Sequence, residues 1–371
     1  MNVTFNRQEL YKMLQILQRA ASAKRNSNTI SGVLFRIMPN NIVELQANDF
    51  EIGYRITLTA EHGDGEDFVI TAPYLTEIIG KMPSDEVVFT TDGQQRKILI
   101  HSGKSKFEFL TINAEDFPLV KTMSADPQSI YMQSDVLKEM IDDTTFACAT
   151  DESRPIFSGA LLHYLDGEVR MVATNTHRMA MKKAWDVKGP KGEFQAIIPA
   201  RTLKELSKLL PAEEAIVVRM SWNRVQITFE FGNVEMNSRL VNGNYPPYER
   251  VIPTAFDSHV TFDRGEIKRT VERAFIIAKD ADYNVIDYSF RDGEVKMVSE
   301  NPEIGAVEEY ASCRIEGEGL DISFNSKYIM DILAHLKEDE IYFHMKDNGP
   351  MLVTQKDDDS YLYVVTPMRA N

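Results

Sequence analysis

The chain has 371 residues, 43% of them hydrophobic, and its 56 acidic against 41 basic side chains give a net charge of -15. That apolar share is enough for a core in each of several modest domains, and no apolar run is long enough for a membrane-crossing helix. Cys148 and Cys313 stand in no metal-type spacing, and there is neither a signal-peptide pattern nor a low-complexity tail, so the expectation is a reducing, cytoplasmic protein without structural zinc.

The first predicted element is a short strand leading into an amphipathic helix over 7–21, opened by Thr4-Phe5-Asn6-Arg7 with Leu10. A hairpin is expected at Asn40-Asn41, and Phe68 to Pro73 leads into a second helix over 73–82. The alternation in Val87-Val88-Phe89-Thr90, Lys97-Ile98-Leu99-Ile100 and Lys106-Phe107-Glu108-Phe109 predicts a half-buried antiparallel meander. The same order then restarts. Tyr131-Met132-Gln133-Ser134 with Leu137 opens a helix over 134–147, Asp166-Gly167 marks a hairpin, and Phe194 to Pro199 leads into a helix over 200–210. Thr261-Phe262-Asp263-Arg264 with Ile267 opens a helix over 264–279, Asp292-Gly293 marks the next hairpin, and Leu320 to Asn325 leads into a helix over 326–337.

Ala47-Asn48-Asp49, Ala173-Thr174-Asn175 and Ser299-Glu300-Asn301 fall at a shift of about 126 residues, so the chain states one unit three times, over 1–122, 127–252 and 254–371. Repeats of one size tend to assemble into one symmetric body. The predicted fold class is α+β: three repeated domains, each with two helices packed on antiparallel sheets.

Charge is distributed unevenly. The six predicted helices carry, in chain order, +2, 0, -3, +2, +3 and +1, a total of +5 that leaves -20 for the remainder. Helices that share a surface would make it attractive to phosphate while the rest repels it. Solvated helix faces also carry Lys and Arg, and Asp135, Glu139, Asp142 and Asp143 on the third helix run against the trend, so charge alone leaves both readings open.

Catalytic constellations are poor. Gly103-Lys104-Ser105 imitates the end of a phosphate loop, but Ile98 stands where its first glycine belongs, and the seven histidines show no metal-ligand spacing. His177-Arg178 occupies the place held by Glu51-Ile52 and Glu303-Ile304 in the other copies, which marks a task of the middle repeat or simple drift. The following junction, Tyr245-Pro246-Pro247-Tyr248-Glu249-Arg250-Val251-Ile252-Pro253, is stiffened by proline and rich in contact surface, as either a rigid linker or a partner site. Tyr363-Val364-Val365-Thr366-Pro367-Met368-Arg369 reads as a last strand with an end suited to an adaptable apolar contact.

Four segments, in order and within three repeats, carry a resemblance over essentially the full length. They are Asp151-Glu152-Ser153-Arg154-Pro155-Ile156, Ala173-Thr174-Asn175-Thr176-His177-Arg178-Met179-Ala180, Ser238-Arg239-Leu240-Val241-Asn242-Gly243 running into the Tyr-Pro-Pro-Tyr junction, and the terminal Pro-Met-Arg. The chain resembles the bacterial DNA polymerase III beta subunits, the replicative sliding clamps. The resemblance implies a head-to-tail homodimeric ring of six similar domains around duplex DNA, a processivity factor with no enzymatic activity and no cofactor. It also implies that the ring tethers the replicative polymerase and is opened and closed by a separate clamp loader. Implied phosphate contacts, without sequence readout, are Lys24, Arg25, Arg154, Arg201, Lys204, Arg264 and Lys268. Implied ring closure sets Phe107 and Phe109 against the partner copy's third domain at positions Ile276 and Ile277, with Lys104 and Lys106 facing Glu303, Glu308 and Glu309.

The resemblance further implies a groove for short Gln- and Leu/Phe-containing peptides of polymerases, clamp loader and repair proteins. Its matching positions are Phe157, Thr174, His177, Arg178, Met179, Pro246, Arg250, Val251, Asn325, Tyr328, Val364, Pro367, Met368 and Arg369, with Arg178, Asn325 and Arg369 holding backbone or polar groups. Departures bear on its depth: Asn175-Thr176 replaces a usual Asp-Gly and calls for a different backbone conformation, Thr366 replaces a common methionine, and Ala370-Asn371 ends the chain in place of a large aliphatic residue. Asn26-Ser27-Asn28 lacks a proline usual in that loop. Two other readings compete: a divergent scaffold that has lost the ring, and a hydrolase using His177 as general base and Arg178 as anion anchor.

Overall fold

The computed structural model describes residues 2–21, 31–91, 97–123, 128–151, 153–279 and 284–368; Lys24, Arg25, Asn26 to Asn28 and Arg369 to Asn371 lie outside them. Among the described residues six α-helices form where the sequence places them: α1 Arg7–Leu17, α2 Ala72–Gly80, α3 Ser134–Asp142, α4 Ala200–Leu209, α5 Arg264–Ala278 and α6 Ser326–His335. Their starts follow from capping chemistry. Asn6 Oδ1 accepts the N–H groups of Gln8 and Glu9, Asp263 Oδ1 accepts that of Glu266, and Asn325 Oδ1 accepts those of Lys327 and Tyr328. The α3 helix ends earlier than its apolar spacing predicts. Thr144 returns its hydroxyl to the Met140 carbonyl at 2.7 Å and a 3-10 turn Thr145–Ala147 follows, the kind of local competition short polar side chains offer a helix end.

Contacts divide the chain into two compact units, and the middle repeat is shared between them: one comprises 1–137, 188–190 and 205–240, the other 138–187, 191–204 and 241–371. The first holds a five-stranded sheet and an eight-stranded one. In the latter, strand Val234–Arg239 of the middle repeat pairs antiparallel with Ile52–Thr59 of the first, Met236 opposite Tyr54. The second unit holds a twelve-stranded sheet in which Arg178–Ala184 pairs antiparallel with Asp358–Val365, Ala180 opposite Tyr363. Each junction is therefore a continuous hydrogen-bonded ladder rather than a hinge.

The cores of the first and third repeats share a trio of phenylalanine rings. In the first unit the centroids of Phe5 and Phe35 lie 6.2 Å apart at 64°, and Phe5 meets Phe89 at 5.3 Å. In the second, Phe262 and Phe290 lie 6.3 Å apart at 63°, and Phe262 meets Phe343 at 5.0 Å. All six rings are buried. Burial stabilises by about 1.5–3 kcal/mol per ring, which is why Phe5 and Phe262 recur immediately before the capping residues.

The hairpins differ in backbone. Asn40 and Asn41 both take the left-handed conformation, at φ 64° and 59°, as do Asp166 and Gly167 at 45° and 97°. At Asp292-Gly293 only the glycine does, at 90°.

Candidate functional site

The second unit carries a cavity of about 460 Å³ walled by four pieces of chain. The 3-10 turn Pro155–Phe157 supplies Phe157, whose ring stands edge-on to Tyr245 at 6.0 Å. The turn Thr174 to Arg178 supplies a second wall, the Tyr245 to Pro253 junction a third, and Pro350, Val364 and Thr366 the fourth. Met179, Tyr248 and Val364 belong to a buried cluster with Leu161, Val172, Met181 and Ile197, so the floor is apolar and packed from behind. Tyr248 is fixed by its hydroxyl, 2.9 Å from His163 Nδ1 and accepting from Arg170 at 3.2 Å, while burial pushes that hydroxyl up to about 12. Tyr245 donates to the Val172 carbonyl at 3.3 Å, and burial pushes it well above the ordinary range.

The turn is built by side chains satisfying backbone. Thr174 Oγ1 accepts the Thr176 N–H at 3.0 Å and donates to the Arg178 carbonyl at 2.6 Å, while Asn175 Oδ1 accepts the N–H groups of His177 and Arg178 at 3.0 and 3.1 Å. Thr366 closes it from the last strand, its N–H and hydroxyl both donating to the His177 carbonyl at 2.9 and 3.0 Å. The expected change of backbone at Asn175-Thr176 does not occur. Thr176 sits at φ +79°, the conformation glycine takes without penalty, at a cost of about 1–2 kcal/mol for a branched side chain. The surrounding bonds, together with a 3.4 Å contact from Arg154 to the Thr176 hydroxyl, hold it there.

Of the fourteen expected groove residues, the cavity brings together Phe157, Thr174, His177, Arg178, Met179, Pro246, Arg250, Val251 and Val364. His177, Arg250 and Val251 are exposed. Arg178 does not present a free guanidinium. It is buried, it pairs with Asp331 at 2.5 Å, it donates to the Phe146 carbonyl at 2.6 Å, and it lies over the rings of Tyr328 at 4.5 Å and Phe146 at 5.5 Å. The expectation that it holds a ligand's polar groups is corrected: its charge is spent inside the chain, bracing the wall. Asn325 likewise spends its carbonyl oxygen capping α6 and does not line the cavity. Tyr328, beneath the guanidinium, accepts from Asn175 at 3.3 Å. Pro367 and Met368 run past the cavity, the Met368 N–H donating to the Ser323 carbonyl at 2.8 Å, and Arg369 lies outside the described residues. Tyr245, Pro247, Tyr248, Ile252 and Pro253 also line the cavity, and the aromatic and proline content of their junction was the available signal. No sequence signal pointed to Pro350, which a hairpin brings in.

The hydrolase reading finds no support, because Arg178 is committed and no hydrogen bond positions the His177 ring among the described residues. The acidic third helix keeps part of its objection: Asp135 is exposed, while its other three carboxylates are paired. Glu139 and Asp143 pair with Lys182 at 3.1 and 3.8 Å and with Lys337 at 2.7 and 3.6 Å, and Asp142 pairs with Lys138 at 3.5 Å.

The remaining expected positions fall as follows. Arg154, Arg201 and Lys204 are exposed, Lys268 is half-buried, and Arg264 donates to the Glu338 carbonyl at 2.9 Å at the start of α5. Phe107 and half-buried Phe109 lie on Ser105–Leu110, the edge strand of the five-stranded sheet, with Lys104 and Lys106 exposed beside them. Ile276 is exposed and Ile277 half-buried on α5. Glu303 is exposed, whereas Glu308 pairs with Lys296 and Glu309 with Arg273, each at 2.6 Å.

Comparison with known proteins covers the chain from end to end. Three family descriptions match in succession: DNA polymerase III beta subunit, N-terminal domain over residues 1–121, central domain over 131–247, and C-terminal domain over 249–369. The beta sliding clamps of Staphylococcus epidermidis and Staphylococcus aureus are 31% and 32% identical over 381 aligned residues, which cover 100% of this chain and 99% of each relative. The crystal structure of the DNA polymerase sliding clamp from Bacillus subtilis matches with a TM-score of 0.93 at 28% identity, covering 100% of both chains.

Proposed function

Since the chain belongs to the DNA polymerase III beta subunit family over its whole length, and is thus a sliding clamp, a processivity factor and not an enzyme, we propose that it closes with a second copy into a head-to-tail ring around duplex DNA and uses its groove to dock short peptides. DNA and a polymerase are its partners as a clamp. The clamp loader and repair proteins are the further partners we assign to the groove, and the cytoplasm is the compartment that replication requires.

The observation that carries the docking reading is the apolar-floored cavity between the braced Thr174 to Arg178 turn and the proline-stiffened junction. A leucine and a phenylalanine of an extended segment suit Met179, Val251 and Val364, and polar groups suit the exposed His177 and Arg250. Fluorescence anisotropy of a labelled Gln-Leu-x-Leu-Phe peptide tests it. Binding is expected to fall at least tenfold on Val251→Ser, an exposed site whose change leaves the fold intact, and on removal of residues 367–371. Full affinity in both variants would refute the groove.

Ring closure is carried by the edge strand with its exposed Phe107 and by Ile276 on α5, together with a cationic approach from Lys104 and Lys106. The apolar residues contribute most, since exposed ion pairs are worth only about 0–1 kcal/mol. The phosphate-facing set we propose is Lys24, Arg25, Arg154, Arg201, Lys204, Arg264 and Lys268. Protein placed on nicked circular DNA by its loader is expected to stay bound at salt concentrations that screen phosphate contacts, and to leave once the circle is cut. Equal retention on linear DNA would overturn topological tethering.

A further inference from the structure

The first unit carries a second cavity, of about 640 Å³, whose rim repeats the groove's construction with different side chains. Asn48 to Ile52 precede the Thr174 to Arg178 turn by about 126 residues. Asn48 Oδ1 accepts the Phe50 N–H at 2.9 Å, and Asp49 Oδ1 accepts those of Glu51 and Ile52 at 3.0 and 2.7 Å, the pattern Thr174 and Asn175 make in the groove. Phe50 is held at φ +71° as Thr176 is at +79°. What differs is what the turn displays. An aromatic side chain in a left-handed backbone is strained, and Phe50 is also 58% exposed, so two unfavourable features coincide at one residue.

Phe50 is not isolated. Leu119 and Val225 line the same cavity and are 53% and 63% exposed. Gly53 shapes one side, because a side chain there would meet the Val120 methyls at 3.0 and 3.1 Å, and Val120 is pinned by its N–H to Gln46 Oε1 at 2.9 Å. The rim also carries Lys121 and Arg239, both exposed and in no ion pair among the described residues, against one lining carboxylate, Glu51. In a chain of net charge -15, a rim with a cationic excess beside three exposed apolar side chains selects its occupant by charge. Phosphate would use the cations and leave the apolar groups wet.

We propose that this cavity docks an extended peptide segment of a partner protein in which an apolar side chain is flanked by carboxylates. The apolar group seats among Phe50, Leu119 and Val225, and the carboxylates pair with Lys121 and Arg239. The site is separate from the groove of the other unit and goes beyond its assignment. It gives one chain two peptide sites of different preference.

Nuclear magnetic resonance of the methyl-labelled full chain tests the proposal, with acetyl-Glu-Leu-Phe-Glu-amide as probe and acetyl-Lys-Leu-Phe-Lys-amide and a short DNA duplex as comparators. The acidic peptide is expected to move the Leu119, Val120 and Val225 methyl signals saturably. Its affinity there is expected to fall at least fivefold in Leu119→Ser and in the Lys121→Ala, Arg239→Ala pair, with the response of the Val251 and Val364 methyls unchanged. Equal binding of the basic peptide would overturn the proposal. So would shifts confined to Val251 and Val364, movement of the same methyls by duplex DNA in place of peptide, or concentration-dependent shifts without peptide.

Discussion

Arg178→Ala is expected to lower folding stability by about 3 kcal/mol and to abolish peptide binding in the groove. The guanidinium side chain is 6% exposed and its partner carboxylate 29%, so the pair lies largely out of water. Alanine removes the ion pair to Asp331, the bond to the Phe146 carbonyl and the stacking on Tyr328, and leaves Asp331 beside a void. Lysine in the same place keeps the charge but lacks the planar fork that reaches a carboxylate and a carbonyl together, so Arg178→Lys should recover less than half the loss. A double-mutant cycle with Asp331→Asn, read by urea denaturation, separates the pair from the packing, with a coupling of about 1.5–3 kcal/mol expected. A loss below about 1 kcal/mol in Arg178→Ala, or no coupling to Asp331, would show that the wall does not depend on this brace.

That role was not legible in the sequence, although the residue was. His177-Arg178 stood out because the other copies hold Glu51-Ile52 and Glu303-Ile304, which located the turn but not the direction of its side chains. Asp331, Tyr328 and Phe146 reach Arg178 only because Arg178–Ala184 pairs with the last strand and α6 packs nearby, a juxtaposition of residues 153 positions apart for Asp331. Asn325 shows the same limit. Its place in the resembling motif marked it as a ligand contact, and the structure gives its oxygen to Lys327 and Tyr328 at the start of α6. The helices themselves were legible because their apolar spacing is local; the structure adds that Asn6 and Asp263 cap them and that the phenylalanines before them enter equivalent cores. Thr176 was flagged for the right reason and resolved the other way, because four neighbouring hydrogen bonds outweigh the preference of one residue.

Lys182→Met is expected to cost about 3 kcal/mol at neutral pH, and the loss should shrink as the solution is acidified. Lys182, 9% exposed, sits among Glu139, Asp143 and Asp358 at 3.1, 3.8 and 3.4 Å, with Lys337 the second cation on the first two. Methionine fills similar volume, so the cost is Glu139 and Asp143 left with one lysine and Asp358 left with Gln355 and Ser360 but no cation. Burial alone would raise Glu139, yet hydrogen bonds from Lys337 and Lys182 hold it below the ordinary carboxyl range. Burial likewise opposes Asp358, which Ser360, Gln355 and the Lys182 charge together hold low. Burial wins at Asp143, which stays raised despite both lysines.

Glu139 and Asp358, being depressed, stabilise the fold above their unfolded range, and this is lost as pH falls through their lowered folded values. Asp143, being raised, acts oppositely and costs stability as pH rises through its folded value. Without Lys182 all three carboxyls move up while burial remains, so the folded variant binds protons that the parent releases. The gap between parent and variant is therefore widest at neutral pH and closes as the solution is acidified, where protons replace the lysine on the carboxylates. Urea midpoints taken across that range measure it directly. A gap that stays constant with pH would assign the loss to packing alone, and a variant as stable as the parent at pH 7 would mean that Lys337 suffices for Glu139 and Asp143 and that Gln355 and Ser360 suffice for Asp358.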